Sequence, residues 1–523
     1  MQTVAAGFTA EERDSTRSIA QNTRISWHKE YIESNQAFTI GVSTIGGNDV
    51  IGANPGAIGS PSNYRYFDES AYVTSLSWER GISMPLGGLS KAIAQIRLSN
   101  TSGRFTPRFM GGTSELYTAI QPRRPVTINA GFNYNGIDQV LPQFVGLITE
   151  QPRVDQRTKT IDIKANDYLE YFQNKYLDQA AMFTAQRTDQ VMRTLLTNEL
   201  GMSTAQFDLD YGINVIPFGM FPSGSRMSDI FNELAAAENG NFYQDENGIF
   251  KFENRQHWDS APYTQVQRVI LTSQVLQSKT PSEDHLINVV EVRSKQMAKQ
   301  PEQTIFRLNT FDAILIPANG TKEIFIEFDS PALSMTTPTN GGAISNYLAN
   351  SDESGNGTDL TGNVSVSKAY KFSNTAKLEF TNTSSENAYL TSLNISGRTA
   401  KAERDIYVRS KDGSSLTAYQ EKSISITNQF IQDESWAQSL SQMILNDFSD
   451  IENIQELTIR AIPELQLGDL VSWQGRYWRI FDIKSTLDPA SGYVQTITLL
   501  QRTITSYFRI GISTIGGSDK IAP

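Results

Sequence analysis

Three histidines, His28, His257 and His285, stand far apart in a chain of 523 residues that has no cysteine. Serine hydrolysis would need one of them beside an activated serine, and no GxSxG elbow occurs. A zinc centre would need His or Cys ligands at short spacing, and none is present. The 56 Asp and Glu residues offer acid pairs for glycoside hydrolysis, but nothing marks a particular pair. The lack of cysteine removes disulfides, thiolate metal sites and cysteine nucleophiles. These residue types point to no catalytic constellation, metal site or cofactor.

The most patterned candidate is a repeat. Residues 38–51 read FTIGVSTIGGNDVI and residues 508–521 read FRIGISTIGGSDKI, identical at ten of fourteen positions at an offset of 470. A period of 20–50 residues would indicate a solenoid, whereas a single pair near the two ends indicates one short unit used twice. Its β-formers lead into glycines free to take positive φ, followed by an Asn or Ser and an Asp, which is turn chemistry. Two readings follow: a pair of hairpins that fill equivalent grooves, or a phosphate- or metal-binding glycine loop. No GxGxxG, GxxxxGK[ST] or ligand-spaced acids support the second. The expected interaction residues are Ile40, Gly46, Gly47 and Asp49 in one copy, and Ile510, Gly516, Gly517 and Asp519 in the other.

Composition narrows the rest. A chain of this length holds roughly three to four domains. Charged residues make up only 19%, and Ser, Thr, Asn and Gly are abundant, as in β-rich structure with many turns. The formal net charge is −11 without a basic tract, so stable coating of DNA is not expected, while transient passage of DNA is compatible. The polar N-terminus has no apolar signal core, and no run of about 18 apolar residues exists. Cytoplasmic synthesis without stable membrane insertion is therefore expected.

The elements follow from periodicity. Ala94, Ile96 and Leu98 alternate with polar residues, as do Val126, Ile128, Ala130 and Phe132, and Ile161 and Ile163. That is the period of half-buried antiparallel strands, with residues 133–138 as a hairpin turn. Between 180 and 255, Thr188 and Ser225 are expected to cap helices and Asp245–Gly248 to link two short strands. Residues 331–425, rich in Ser, Thr, Asn and Gly, suit a β-sandwich. The acids of the 351–359 loop lack EF-hand spacing, so a solvated loop is expected there. Asp433 is expected to cap a helix with Trp436, Leu440, Met443 and Ile444 on one face. A final meander carries Trp473, Tyr477, Trp478 and Phe481, and alternation places some of these in a core. Arg123-Arg124 reads as surface pairing or a subunit contact. The segments 144–150 and 160–165 parallel 477–483 and 495–500, each pair preceded by a proline-led strand. The expected fold is mainly β with a small α+β module, two related β-barrels and an inserted β-sandwich. The expected domains are an arm with the first TIGG hairpin (1–59), a first barrel (60–180), an α+β module (181–260), a discontinuous second barrel (261–330 and 426–505), an inserted sandwich (331–425) and a tail with the second TIGG hairpin (506–523).

Several segments resemble one family. Residues 98–107, LSNTSGRFTP, are similar to the L-x-N-x-x-G-R-F-x-P stretch of minor tail proteins in long-tailed phages. FVGLI at 144–148, followed by IDIKAND at 161–167, resembles the first barrel of tail-hub proteins; LQLGDLV at 465–471 and YWRI at 477–480 resemble the last. The resemblance implies a homotrimeric tail-tip or baseplate hub with tail-tube-like barrels. It implies docking on a sixfold distal tail protein ring and a channel for the tape-measure protein and then DNA. A virion location and assembly in the host cytoplasm follow. Because the chain reaches Pro523 soon after the last barrel, lytic or receptor-binding tasks are expected on other proteins, with a tail fibre or other tip protein held by the inserted module. The alternative is a tail-associated cell-wall-degrading or carbohydrate-binding protein.

Overall fold

The computed structural model describes Gln2, residues 18–27 and residues 66–502, except 179–180, 280–281, 309, 340–345 and 372–373. His28 and both copies of the repeat, with Ile40, Gly46, Gly47, Asp49, Ile510, Gly516, Gly517 and Asp519, lie outside the described residues. The chain is mainly β.

The first β unit comprises β1 (Ile19–Ile25), β2 (Val73–Gly81), β3 (Ile93–Ser99), β4 (Pro125–Tyr134), β5 (Ile137–Ile148), β6 (Arg153–Asp155) and β7 (Thr160–Asn166). Its strands pair in the order β2-β3-β7-β5-β4-β1, with β6 also on β7. The alternating residues Ala94, Ile96, Leu98, Val126, Ile128, Ala130, Phe132, Ile161 and Ile163 all point into one core. The β4–β5 hairpin turns at Asn135-Gly136, both with positive φ (53° and 78°), as a tight two-residue turn requires. The LSNTSGRFTP stretch folds as a turn against this core. Asn100 Oδ1 accepts from Phe105 N at 2.8 Å, and Phe105 is fully buried.

The α+β module holds α1 (Thr188–Thr194), β8 (Phe207–Leu209), α2 (Met227–Glu238), β9 (Asn241–Gln244) and β10 (Phe250–Glu253). Neither expected cap is used. The N-cap positions are Arg187 and Arg226. Thr188 is buried as the first helical residue, and the N–H of Ser225 closes a turn onto Pro222 O.

Then β11 (Val275–Ser278) opens a second β unit, and the chain leaves it through β12 (Val289–Lys299). The excursion contains β13 (Thr321–Glu327), β14 (Val364–Lys371) and β15 (Thr375–Asn382) and returns along β16 (Ala388–Lys411). The sheet β13-β15-β14 faces strands paired on the first half of β16 across a separate core running from Ile305 to Ile395. The second half of β16 pairs with β12 from Ala400↔Lys299 to Lys411↔Val289. Valines and isoleucines of that ribbon share a core with α1, α2 and α3 (Glu434–Phe448). Thus, of residues 261–330, only the part up to Ser278 pairs into the second unit; β12 and β13 lie in other sheets.

The second unit is completed by β17 (Ile454–Arg460), β18 (Leu470–Trp473), β19 (Arg476–Asp488) and β20 (Gly492–Arg502), paired in the order β11-β17-β20-β19-β18. Trp473, Trp478 and Phe481 enter its core, while Tyr477 stays half exposed. Among the described residues, no helix is long and apolar enough to cross a membrane.

Candidate functional site

The two β units have the same connectivity. In the first, the five strands β2, β3, β4, β5 and β7, numbered one to five along the chain, lie side by side in the order one, two, five, four, three. In the second, β11-β17-β20-β19-β18 repeats that order, strand for strand. The hairpin leading to the last strand also repeats. Asp155 Oδ1 accepts from Arg157 N at 2.8 Å and Thr158 N at 3.1 Å. Asp488 Oδ1 accepts from Ala490 N and Ser491 N, both at 2.8 Å. An Asp side chain that bonds backbone two and three residues on is a strong turn former, so the same residue starts both turns.

The units meet edge to edge. β2 pairs with β19 antiparallel from Leu76↔Leu487 to Gly81↔Asp482, so one sheet runs through both units. The joint is packed as well as hydrogen-bonded. Tyr493 of β20 lies in the first unit's core, 5.7 Å from the Trp78 ring and 6.2 Å from Phe132. Gln143 Nε2 on β5 donates to Pro463 O at 2.8 Å. At the end of the joint the Asp482 carboxylate occupies the space that a side chain at Gly81 would need. Burial foremost, together with Glu79 and Glu456, pushes the Asp482 carboxyl from 3.8 up to about 7.

The outer edges matter as much. β6 pairs only with β7, and β11 only with β17, among the described residues. By the shared strand order, β6 corresponds to the part of β19 that pairs with β2, and β11 corresponds to β2. The open edges are therefore the complementary halves of the joint already made within the chain. Leu276 on β11 is half exposed there.

Neither a protein-family model nor a curated protein matches the chain. Among solved structures, it is similar to the 43 kDa tail protein of prophage MuSo2 from Shewanella oneidensis, at 11% identity and a TM-score of 0.42, over 83% of this chain and 95% of that one. It is similar to a tail protein from Neisseria meningitidis MC58, at 7% identity and a TM-score of 0.44, over 85% and 94%. It is also similar to prophage tail protein gp18 from Listeria monocytogenes EGD-e, at 9% identity and a TM-score of 0.39, over 84% and 92%. All three are tail proteins.

The structure also shows what the chemistry-bearing residues do. His285 is exposed. His257 links the α+β module to the second unit. Its Nδ1 lies 2.7 Å from Asp210 Oδ2 and its Nε2 lies 3.2 Å from Glu253 Oε1. Burial lowers the pKa of His257, but the Asp210 hydrogen bond and the charges of Glu253 and Asp210 outweigh it and hold it above its ordinary value. The raised pKa favours the protonated ring, which then lies between two carboxylates, with Nδ1 in hydrogen-bond contact with Asp210. The next residue, Trp258, packs edge-on against Phe481 at 5.7 Å, and the Arg479 guanidinium lies 5.1 Å from its ring centroid. Gly468 has φ +81° and passes under this indole; a β-carbon there would lie 2.5 Å from Trp258 Nε1. Only glycine combines that conformation with that approach.

Arg124 is buried, donating to Ala119 O at 3.1 Å and to Gln121 Oε1 at 3.2 Å, so it braces its own loop. Arg104 of the LSNTSGRFTP stretch lies 3.1 Å from the buried Glu69 carboxylate, which also accepts from Trp27 Nε1 at 2.8 Å. In the 351–359 loop, Asp352 accepts from the loop's own Ser354 N at 3.1 Å.

Proposed function

We propose that the chain is a structural hub at the distal end of a phage tail, assembled as a trimer around a central channel. One observation carries this: the chain contains two β units of the same strand order, joined edge to edge, with the two complementary edges left open. Copies that repeat the internal joint between molecules form a head-to-tail contact, which generates a ring when the rotation closes. Three copies give six alternating units, the number needed to meet a sixfold distal tail ring while presenting threefold symmetry below it. The net charge of −11 favours passage of the tape-measure protein and DNA without retention of DNA, since like charges repel. In this role the excursion between β12 and β16 is the outward module that holds a fibre or another tip protein. The two TIGG segments would then occupy equivalent sites on neighbouring units, through Ile40, Gly46, Gly47 and Asp49 and through Ile510, Gly516, Gly517 and Asp519. Deletion of residues 508–523 should impair tail assembly and spare the fold of the two units.

The register of the intermolecular joint follows from the internal one. Val275 and Gln277, on either side of a bulge at Leu276, take the places of Leu76 and Ser77, and Val154 and Arg153 those of Leu487 and Thr486. The chain has no cysteine of its own, so a variant carrying Arg153→Cys and Gln277→Cys reports only this contact. Oxidation of the concentrated protein should yield covalent species ending at three chains on a non-reducing gel. Absence of any cross-linked species, or closure at two chains, would overturn the proposal.

A further inference from the structure

A cavity of about 330 Å3 opens where the β8-β10-β9 sheet meets the second unit. Glu253, at the end of β10, lines it and is only 5% exposed. Its Oε1 accepts from the Tyr243 hydroxyl at 2.8 Å and faces His257 Nε2. Its Oε2 has no hydrogen-bond donor among the described residues. A buried carboxylate oxygen without a donor is costly, and such an atom on a cavity wall marks a place where a donor belongs.

The charge balance says which donor. Five carboxylates line the cavity against two permanent cations, and both cations are engaged: Arg80 on Glu246 at 2.8 Å and Lys251 on Asp208 at 2.7 Å. Asp245 accepts the N–H groups of its own turn. Asp210 and Glu253 are left to share His257. The negative field reaches Tyr263, whose hydroxyl is pushed up to about 12 by burial first and then by Glu253, Asp469 and Asp210. The missing partner is therefore a cation. Among the described residues, no three His, Asp or Glu side chains are placed to hold a metal ion. Aromatic faces stand beside the acids instead: Tyr263 lies 4.8 Å from the His257 ring, and Tyr243 shares the wall. A planar, delocalised cation uses both surfaces, with a fork of N–H donors for the carboxylate and a face for the rings.

We propose that this cavity binds a guanidinium group, with Glu253 Oε2 as its acceptor and the Tyr263 ring as its stacking face. The group belongs either to a small free cation or to an arginine side chain of a partner protein. Calorimetric titration of the full chain with methylguanidinium chloride should be saturable and exceed a sodium chloride control of equal ionic strength. Glu253→Gln should weaken binding about tenfold, because it removes the charge from the acceptor. If that variant does not fold, Asp208→Asn at the exposed mouth releases Lys251 to repel the ligand and should weaken binding about twofold. Binding of Gly-Arg-Gly well above that of methylguanidinium assigns the site to a partner's side chain; equal binding assigns it to a small cation. Titration no different from sodium chloride, unchanged binding in whichever of these variants folds, or Gly-Lys-Gly binding as well as Gly-Arg-Gly would each overturn the proposal.

Discussion

Asp482 is the residue on which the joint between the β units becomes sensitive to pH. It faces Gly81 at the end of the β2–β19 pairing, and burial raises its carboxyl from 3.8 to about 7. A carboxyl raised on folding contributes stability that is present below its unfolded value, near pH 4, and is lost as pH climbs through about 7. His257 works in the same direction, since its raised pKa gives stability that is lost as pH rises past that value. The linker and the joint are therefore both expected to weaken on the alkaline side. Asp482→Asn keeps the size of the side chain and removes the ionisation. At pH 8 it should be more stable than the parent by about 2 kcal/mol, a figure that allows for partial exposure. At pH 4 the difference should vanish. Denaturant unfolding of parent and variant at the two pH values measures this, and a difference independent of pH would show that the Asp482 carboxyl carries no such load.

At the scale of elements, what was legible in the sequence is what one strand or helix decides for itself. Alternation marks β3, β4 and β7 because each buries one face, and Asp433 is legible as the cap of α3 because the cap is local. Its carboxylate accepts from Trp436 N at 2.7 Å. Asp433→Ala should cost about 1 kcal/mol, read as a lower denaturation midpoint with an unchanged slope. Thr188 and Ser225 look equally good as caps, yet the first helix starts one residue earlier, at Thr188 after Arg187, and the second one residue later, at Met227 after Arg226. Pairings between distant segments were not legible at all. Nothing in residues 76–81 announces residues 482–487 as neighbours, and nothing near His257 announces Asp210. Their register depends on the whole fold, and a local pattern holds no record of it. Nor does the alternation of β16 show that its first half belongs to one core and its second half to another. The parallel between the meanders at 144–165 and 477–500 was a partial view of the repeated unit, legible because both hairpins bury the same faces.

At the scale of the molecule, the excursion between β12 and β16 enters and leaves at one point. Lys299 pairs with Ala400, and Gln300 N donates to Thr399 O at 2.8 Å, so the two chain ends lie side by side as in a hairpin. Everything beyond them is held by its own core, made of residues from Ile305 to Ile395. The other three cores contain no residue from that stretch. A module with its own core and a single two-stranded stalk is separable in energy from the body that carries it. Replacing residues 301–398 with Asn-Gly, a two-residue turn suited to closing a hairpin, should leave β12 and β16 paired and the two β units intact. Circular dichroism should show the remaining chain folding cooperatively, with a midpoint within a few degrees of the parent's. Light scattering should show the same number of chains per particle, because the β6 and β11 edges are untouched. If the shortened chain folds but no longer assembles, the excursion is part of the ring contact and the open edges are not sufficient for it. If it does not fold, the ribbon of β12 and β16 depends on its far end.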